Sequence, residues 1–214
     1  MEKRIQNLNR VLAGHRLGQP LLWFDTVGST NDMMKGKAQA GAPEGFTILA
    51  DTQTQGHGRR GKEWLSLEGK GVYMSVLLRP PLSASEAALI NMFSVVAVAQ
   101  ALEKIGVKHV RVKWPNDVLV RNQKIAGILV EPRVSRQIMD FIVVGIGINV
   151  RHRKDDLRLM GDGAATSCRL EGNRIDCDQV FIHVLQELES CYDLIRRNQK
   201  DRILEAWNHR QGNP

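Results

Sequence analysis

The sequence predicts an α+β fold in which helices pack around one central sheet of mixed or antiparallel strands. Its 214 residues are 43% hydrophobic, which suits a single domain with a core of its own. Patterns typical of strands cluster in the middle of the chain, and helical patterns lie on either side of them. Because strand and helix do not alternate regularly, this order argues against a parallel βαβ sheet.

The strands are predicted from short apolar runs bounded by turn-forming residues. The first strand follows Pro20, and the third is stopped by Pro80 and Pro81. Asn122 and Gln123 separate the fifth strand from the sixth and predict a tight hairpin. The predicted strands span residues 21–25, 47–51, 72–79, 110–114, 118–120, 125–131 and 140–148.

The helices near the N-terminus are predicted from apolar spacing and from capping residues. Residues 1–20 hold a short helical pattern that ends near Gly18. Ser29 is the expected N-cap of a second helix, with Asp32 as its capping-box partner, and Gly41 ends that helix.

The longest helical pattern begins with Ser83 and Glu86 and ends at Gly106. Apolar residues occupy nearly all of its sides, which predicts a central, buried helix. Two more helices are predicted after the strands, over residues 180–195 and 202–207.

The composition indicates the cellular compartment of the protein and the chemical class of its partners. Lys plus Arg is 30 and Asp plus Glu is 23, so the net charge is +7, which either favours an anionic partner or serves solubility. Cys168, Cys177 and Cys191 have no C-x-x-C spacing and are expected to be ordinary buried thiols. No signal peptide is evident, and every apolar stretch is far shorter than the about 20 residues of a membrane span. We therefore expect a cytoplasmic protein without membrane contact.

Residues 53–64, with the sequence QTQGHGRRGKEW, form a loop in which glycines alternate with cations. The glycines are Gly56, Gly58 and Gly61, and the cations are Arg59, Arg60 and Lys62. A glycine can take a positive φ, which lets consecutive backbone N–H groups turn toward one anion, and arginine grips phosphate with two N–H groups. The pattern favours phosphate binding, with a solvated surface loop as the alternative.

Two further segments depart from the needs of packing. The first, KWPND at residues 113–117, ends a strand in a Trp-Pro turn that presents Asn116 and Asp117, either as functional groups or as turn formers. The second, KIAGILVE at residues 124–131, places a lysine before a strand whose central glycine indicates the close approach of something flat. That lysine is alternatively an exposed hairpin residue.

In their order and spacing these segments resemble the catalytic domain of biotin–protein ligases, the biotin–[acetyl-CoA-carboxylase] ligase family. The resemblance covers about residues 23–149 and continues more weakly to about residue 207. Its elements are Ser-Thr-Asn at 29–31, GHGRRGK at 56–62 followed by Trp64, KWPND at 113–117, KIAGILVE at 124–131, GIGIN at 145–149 and Ala-Thr-Ser at 165–167. It implies the biotin/lipoate ligase-like fold, which is similar to that of class II synthetases.

The resemblance implies a two-step reaction. The carboxylate of biotin attacks the α-phosphate of ATP, which gives biotinoyl-5′-AMP and pyrophosphate. A specific lysine of a biotin carboxyl carrier protein or domain then attacks the mixed anhydride. Since the first step brings two anions together, cations must neutralise both, and Mg²⁺ is the expected helper.

The resemblance also implies roles for individual residues, with no protein ligands to a resident metal. The catalytic residues would be Arg59 as the main cation of the loop, Lys124 as the holder of the biotin carboxylate, and Asp117 as the group that either orients the incoming amine or helps to hold the metal. Biotin would be bound by Ser29, Thr30, Asn31, Gln53, His57, Gly58, Arg59, Lys124, Gly127 and Leu129. ATP would be bound by Gly56, Arg59, Arg60, Lys62, Trp64, Lys113, Asn116, Asp117 and Asn149.

The ends of the chain depart from the family pattern. No strand pattern follows residue 207, so we expect the small C-terminal β domain of many relatives to be absent and residues 1–214 to form the catalytic domain alone. There is likewise no room for an N-terminal helix-turn-helix, which argues against DNA binding. Relatives often pair through their sheets, so a homodimer is an open alternative, with residues 140–148 as either the edge strand or an internal one.

Three other functions compete with the ligase. A biotin-binding or regulatory module without efficient transfer would keep the pocket, although free biotin does not require so many cations. A lipoate-type ligase would share the fold but is not expected to carry this glycine–arginine loop together with KWPND. A nucleic-acid binder would use the positive charge, but aromatic residues are only 5% and no stacking motif accompanies the basic loop.

Overall fold

One mixed sheet organises the computed structural model, which describes residues 2–83, 86–135, 138–158 and 165–211. Its strands are β1 (Leu21–Val27), β2 (Thr47–Gln53), β3 (Gly71–Leu78), β4 (Val110–Lys113), β5 (Asp117–Val120), β6 (Gln123–Ser135) and β7 (Ile138–Asn149). They lie in the order β1-β2-β3-β7-β6-β5-β4. β1 and β2 are parallel and the other neighbouring pairs are antiparallel, which confirms the predicted α+β class with a mixed sheet.

Helices cover both faces of the sheet. They are α1 (Glu2–Val11), α2 (Thr30–Gln39), α3 (Ala87–Lys104), α4 (Lys154–Arg158), α5 (Cys177–Arg196) and α6 (Lys200–Arg210), and one 3₁₀ turn spans Arg59–Gly61. The main core lies between one face of the sheet and the pair of α3 and α5. A smaller cluster, which includes Met34, Ile48 and Phe141, lies between α2 and the opposite face.

The alternation of each strand sorts its side chains between these two layers. On β3, Val72, Met74 and Val76 belong to the main core, whereas Leu77 belongs to the cluster under α2. The face that carries α2 is only partly covered by apolar side chains. The remaining area of this face forms the floor of the candidate site.

The helix α3 is buried, as its apolar composition predicts. Its 18 residues are long and apolar enough to cross a membrane by length and composition, which corrects the prediction that every apolar stretch is far shorter than a span, yet 56% of this stretch is buried inside the structure. Phe93, on this helix, packs against Tyr192 of α5 with ring centroids 5.9 Å apart. These contacts identify α3 as the central helix of the core.

Several predicted boundaries are corrected by the structure. The chain turns between β5 and β6 at Arg121 and Asn122, whose φ values are 48° and 68°, while Gln123 already pairs with Val120. The predicted turn is therefore wrong by one residue. α1 ends at Val11, well before residue 18, and β4 ends one residue before the predicted limit.

The start of α3 also differs from the prediction. The helix begins at Ala87, and in the preceding turn the hydroxyl of Ser83 donates to Glu86 Oε2 at 2.8 Å. The short helix α4 is missing from the prediction, because Leu157 is the single buried residue among its five and gives no apolar period.

The strand predicted at residues 140–148 is internal. β7, which contains it, pairs with β3 on one side and with β6 on the other. Its edges are therefore occupied, and the alternative that it forms an edge for pairing with a second copy is wrong. At the β4 edge of the sheet, Gln211 forms a parallel bridge to Val112. Residues 212–214, with which the sequence ends, lie outside the described residues.

Two of the three cysteines are buried thiols, as predicted. Cys168 and Cys191 are buried, and burial raises the pKa of each to about 12. Cys177 is partly exposed, and burial raises its pKa to about 11. All three are therefore protonated thiols at neutral pH.

A buried histidine follows the end of β7. His152 has no exposed surface, and burial lowers its pKa to about 4. Its Nε2 lies 3.5 Å from the hydroxyl of Tyr73, and its Nδ1 has no hydrogen-bond partner within the part of the chain that the structure describes. The folded protein therefore holds His152 in its neutral form.

The neutral His152 predicts a loss of stability in mild acid. Its pKa falls from 6.5 to about 4 on folding, so the unfolded chain binds the extra proton between these values. The free energy of unfolding should thus be highest above pH 6.5 and decrease by up to about 3 kcal/mol as the pH falls to about 4. Urea denaturation of the wild-type protein and of His152→Gln over this range measures the effect. Equal pH slopes for the two proteins would contradict it.

Candidate functional site

Glycines leave part of the sheet surface bare on the face that carries α2. Gly127 of β6 and Gly147 of β7 are direct partners in the ladder. A Cβ on Gly147 would lie 2.4 Å from the Trp64 ring, and one on Gly127 would lie 2.8 Å from it. The indole of Trp64 therefore rests directly on the backbone of two neighbouring strands, as the prediction of something flat over Gly127 requires.

A cavity of about 790 Å³ opens above this floor. Its walls come from the start of α2, the end of β2, the basic loop at residues 56–64, the turn before β5 and the paired strands β6 and β7. The size lies within the range of small-molecule and cofactor pockets, which commonly measure roughly 300–1,000 Å³.

The N-terminus of α2 presents two hydroxyls at one end of the cavity. Ser29 caps the helix, and its side chain accepts the backbone N–H of Asp32. The carboxylate of Asp32 pairs with Lys35 at 2.7 Å, so the predicted capping box is not completed. The backbone N–H of Thr30 donates to Gln53 Oε1 at 2.8 Å, which joins the helix start to the end of β2.

A polar chain, buried at Asn31 and Ser75 and partly exposed at Lys35 and Glu131, lies beneath these hydroxyls. The Ser75 hydroxyl is 2.5 Å from Asn31 Oδ1 and 2.8 Å from Thr30 Oγ1. Asn31 Nδ2 donates to Glu131 Oε2 at 2.7 Å, and Lys35 pairs with Glu131 at 2.9 Å. Burial opposes the charge of Lys35, but hydrogen bonds to Asp32 and Glu131 hold its pKa above the ordinary value.

The basic loop is a tight hairpin with its own hydrogen bonds. The Gly58 N–H donates to the Lys62 carbonyl at 2.6 Å, and the Trp64 N–H donates to the Gly56 carbonyl at 2.9 Å. Among the three glycines, Gly61 alone has a positive φ, at 71°. The prediction that all three glycines turn their N–H groups toward one anion is therefore wrong, because the Gly58 and Trp64 N–H groups already have partners within the hairpin.

Gly56 has a different reason to be glycine. A Cβ at this position would lie 2.6 Å from the carbonyl oxygen of Trp64. The close approach holds the two ends of the hairpin together. Gly56 is also the single predicted site residue that does not line the cavity.

The cations of the loop face the solvent at the rim of the cavity. Arg59, Arg60 and Lys62 are exposed, and none of them has a carboxylate partner within the described ranges. Because opposite charges do not neutralise them, they are free to meet an anionic ligand with side-chain N–H groups. His57 lies 3.9 Å from Asp32, which brings the loop close to α2.

A fourth cation lies over the floor. Lys124 Nζ pairs with Asp117 Oδ1 at 2.7 Å and lies 5.3 Å from the centre of the Trp64 ring. β5 and β6 are neighbours in the sheet, and Asp117 pairs with Gly127 in their ladder. The two predicted segments around KWPND and KIAGILVE therefore meet at one point of the cavity.

Two asparagines with predicted roles are tied to the backbone. Asn116 Nδ2 donates to the carbonyl of Ile128 at 2.9 Å, and Asn149 Nδ2 donates to that of Thr166 at 3.1 Å. Asn149 Oδ1 and Trp64 Nε1 are buried without a hydrogen-bond partner within the described residues. Since buried polar atoms are nearly always paired, these two atoms are poised for a ligand.

The cavity gathers every other predicted site residue in one place. These are Ser29, Thr30, Asn31, Gln53, His57, Gly58, Arg59, Arg60, Lys62, Trp64, Lys113, Asn116, Asp117, Lys124, Gly127, Leu129 and Asn149. Reasoning from the sequence missed Ser75 and Glu131, which support the site from below, and Gly145 and Gly147, which form its floor. The alternating glycines of GIGIN were a signal for the floor, whereas nothing local marks Ser75.

Comparison with known proteins relates the chain to one family. A profile of the biotin/lipoate A/B protein ligase family matches residues 23–149. The bifunctional ligase/repressor BirA of Bacillus subtilis is 35% identical over 177 residues, which are 82% of this chain and 54% of that protein. The biotin–[acetyl-CoA-carboxylase] ligase of Mycobacterium tuberculosis is 32% identical and covers 77% of this chain and 60% of its own length. The chain thus spans little more than half of these relatives.

A solved structure has a similar fold. The biotin protein ligase from Aquifex aeolicus, in complex with biotin and ATP, superimposes with a TM-score of 0.74. The two chains are 28% identical, and the match covers 90% of this chain and 78% of the other.

The close packing on the glycine floor predicts that a side chain at position 145 lowers the stability of the protein. A Cβ there would lie 2.2 Å from Asn31 Oδ1, which is held by Ser75, so Gly145→Ala should lower the free energy of unfolding by about 1–3 kcal/mol. Gly36, inside α2, has nothing within 4 Å of its Cβ position, so Gly36→Ala should raise it by about 0.5–1 kcal/mol. Urea denaturation measures both, and a Gly145→Ala protein as stable as Gly36→Ala would refute the assignment.

Proposed function

The chain belongs to the biotin/lipoate A/B protein ligase family, and on this basis we propose that it is a biotin–protein ligase. In this proposal it activates biotin with ATP to biotinoyl-5′-AMP, releases pyrophosphate and transfers biotin to a lysine of a carrier protein. Relatives named as ligases of this kind, in Bacillus subtilis and Mycobacterium tuberculosis, support the assignment. The repressor activity in the name of the first relative lies outside the proposal.

One observation carries the proposal: a single cavity has a neutral hydrogen-bonding end, a cationic rim and a lysine between them. The neutral end is formed by Ser29, Thr30 and Gln53, and the lysine is Lys124. A neutral ring with a carboxylate tail fits such a cavity with the ring among the hydroxyls and the tail at the lysine. A triphosphate then meets the arginines of the rim.

The first step joins the carboxylate to the nucleotide. A carboxylate oxygen of biotin forms a bond to the α-phosphorus of ATP, and the bond from that phosphorus to the bridging oxygen breaks as pyrophosphate leaves. Lys124 neutralises the attacking carboxylate, and Arg59, with Arg60 and Lys62, neutralises the phosphates. Such electrostatic stabilisation is the main contribution that a protein makes to this chemistry.

The glycine floor and the two buried polar atoms that lack a hydrogen-bond partner complete the binding site in this proposal. Leu129 lies under biotin, and Gly127 borders it with the Trp64 ring on its surface, while His57, Gly58 and Gly56 belong to the loop that closes over the ligands. Trp64, Asn149 and Lys113 line the nucleotide side, where the unpaired indole N–H and amide oxygen meet polar groups of ATP. Asn116 holds the turn that carries Asp117.

The second step transfers the acyl group. The neutral amine of a carrier lysine attacks the acyl carbon of the mixed anhydride, AMP leaves with the electrons of the broken bond, and the nitrogen of the new amide releases one proton to solvent. We assign Asp117 to hold Lys124 before the substrates arrive and then to orient the incoming amine. The carrier is a biotin carboxyl carrier protein or domain. A carrier that is acidic near its target lysine would complement the positive charge of the chain.

The donor atoms of the cavity fit a nucleotide-bound Mg²⁺. No group of three or more His, Cys, Asp or Glu side chains that could hold a metal occurs in the described ranges. Mg²⁺ is usually held by phosphates together with one or two carboxylates, and Asp117 and Glu63 both line the cavity. As the alternative to orienting the amine, Asp117 would hold the ion, which would neutralise charge on the phosphates. We further propose that the protein acts in the cytoplasm and that residues 1–214 form the catalytic domain. A homodimer is an open alternative to a monomer.

The test is an adenylation assay with biotin, α-labelled ATP and Mg²⁺, without carrier. We expect labelled biotinoyl-AMP and pyrophosphate with biotin but not with lipoate or octanoate. Arg59→Ala and Lys124→Ala should each lower the rate by at least about a hundredfold, because each removes a charge that stabilises the transition state.

Matched controls are Arg174→Ala and Lys108→Ala, which remove exposed cations outside the cavity and should leave the rate unchanged. Lipoyl-AMP as the product would keep the fold and refute the substrate. Biotin binding without any adenylate would refute the ligase in favour of a binding module.

A further inference from the structure

Residues 114–116 form the turn between β4 and β5, and two distant elements hold its ends. Trp114 is 57% exposed, yet its ring meets the buried ring of Trp207 on α6 edge to face, with centroids 6.0 Å apart. Asn116 is bound to Ile128 of β6 by two hydrogen bonds. Its Nδ2 donates to the Ile128 carbonyl at 2.9 Å, and its own carbonyl accepts the Ile128 N–H at 3.0 Å.

The middle residue of this β4–β5 turn is held by a side chain of α3. Pro115 has no N–H, so its carbonyl is its single polar group, and that carbonyl accepts a hydrogen bond from Asn91 Nδ2. The direction of this bond is fixed, because the carbonyl can only accept and the amide N–H of Asn91 can only donate. Three consecutive residues of the turn are thus held by α6, α3 and β6.

Asn91 differs from the other residues of its helix. The sides of α3 are mostly apolar and lie in the main core. The Ser94 hydroxyl donates to the Ile90 carbonyl within the helix, and Gln100 Oε1 accepts the thiol of Cys191 on α5. Within the described residues, Asn91 is the polar side chain through which α3 is bonded to the β4–β5 turn. Packing alone gives no reason for an amide at this position.

The turn leads directly into a charged pair of the cavity. Asp117 follows Asn116 and is the first residue of β5, a strand of only four residues. Its backbone position therefore depends on the turn as well as on the ladder. Its carboxylate lies 2.7 Å from Lys124 Nζ. Since a misplacement of about 1 Å at reacting groups can lower a rate roughly a hundredfold, the anchors of the turn bear on the chemistry.

We propose that Asn91 is a positioning residue of the ligase reaction, which fixes the Pro115 carbonyl and thereby places Asp117 against Lys124. The inference rests on the proposed function and adds to it a residue that does not line the cavity. Asn91 touches neither substrate, and the hydroxyls at the start of α2 lie at the other end of the cavity. It therefore acts on the rate of adenylate formation and leaves the affinity for biotin nearly unchanged.

Asn91→Leu tests this role because it removes the donor at nearly constant volume. The kcat for biotinoyl-AMP formation should fall at least about tenfold, while the Kd for biotin in calorimetry stays within about twofold of wild type. Gln100→Leu is the matched control. It removes another partly exposed, hydrogen-bonded amide from the same helix and should leave kcat unchanged.

A double-mutant cycle shows whether Asn91 acts through Asp117. In an Asp117→Asn background, Asn91→Leu should lower kcat by less than about twofold further, because no carboxylate is left to be misplaced. General damage to the fold would multiply the two losses instead. Asn91→Asp has the size of the native residue, but its carboxylate cannot donate to Pro115. It should reproduce the loss of kcat, which decides the question even if Asn91→Leu does not fold.

Amide hydrogen exchange reports on the turn without any turnover of substrate. Because the Ile128 N–H donates to the Asn116 carbonyl, Asn91→Leu should raise its exchange rate about tenfold in NMR, while amides in the middle of β7 keep their rates. Gln100→Leu should change neither rate. A faster exchange at Ile128 with an unchanged kcat would make Asn91 a structural residue only and would refute the positioning role.

The positioning role and the proposed function fail in different ways. If adenylate forms, the ligase stands, and the positioning role is refuted by an unchanged kcat in Asn91→Leu, by an equal loss in Gln100→Leu or by losses that multiply with Asp117→Asn. If the wild-type protein forms no adenylate, the ligase fails and the catalytic consequence of Asn91 fails with it. The exchange rate at Ile128 then still decides whether Asn91 holds the turn.

Discussion

The site depends on bare backbone in the middle of the sheet. Gly127, Gly145 and Gly147 lie on two neighbouring strands and face the same side. Without side chains there, Trp64 and Asn31 approach the strands more closely than any Cβ would permit. The strands keep their ladder of hydrogen bonds, so the floor lacks side chains but its backbone is still held in place. Ile128, Ile146 and Ile148, on the opposite face, anchor it to the main core.

Charge is distributed over the site according to burial. The exposed cations of the basic loop have no carboxylate partner within the described residues, since solvent already stabilises their charge. Lys124 and Lys35 are more enclosed, and each is paired with a carboxylate. The enclosed pairs hold their positions before a ligand arrives, whereas the exposed arginines keep the freedom to adapt to one. The fixed charged pairs thus lie deeper in the site than the mobile cations that neutralise an anionic ligand.

Much of the architecture could be predicted because it follows from local patterns. The central burial of α3 follows from its apolar sides, and the cap at Ser29 follows from residue type. The basic loop shows where such reasoning fails. Its glycines allow several conformations, and the hydrogen bond from the Gly58 N–H to the Lys62 carbonyl selects a hairpin that sequence alone does not choose. The predicted turn before β6 is wrong by one residue for a related reason, since the register of the ladder sets it.

By itself the sequence determined which chemical groups the site contains: glycines in two strands, hydroxyls at a helix start, cations in a loop and a lysine before a strand. These features are local, and residue type decides them. Tertiary structure alone decided that Gly127 opposes Gly147, that Lys124 meets Asp117 and that Glu131 reaches Asn31 from 100 residues away. The physical reason is that strand register and buried hydrogen bonds form between distant segments. No local pattern records which partner each group will meet.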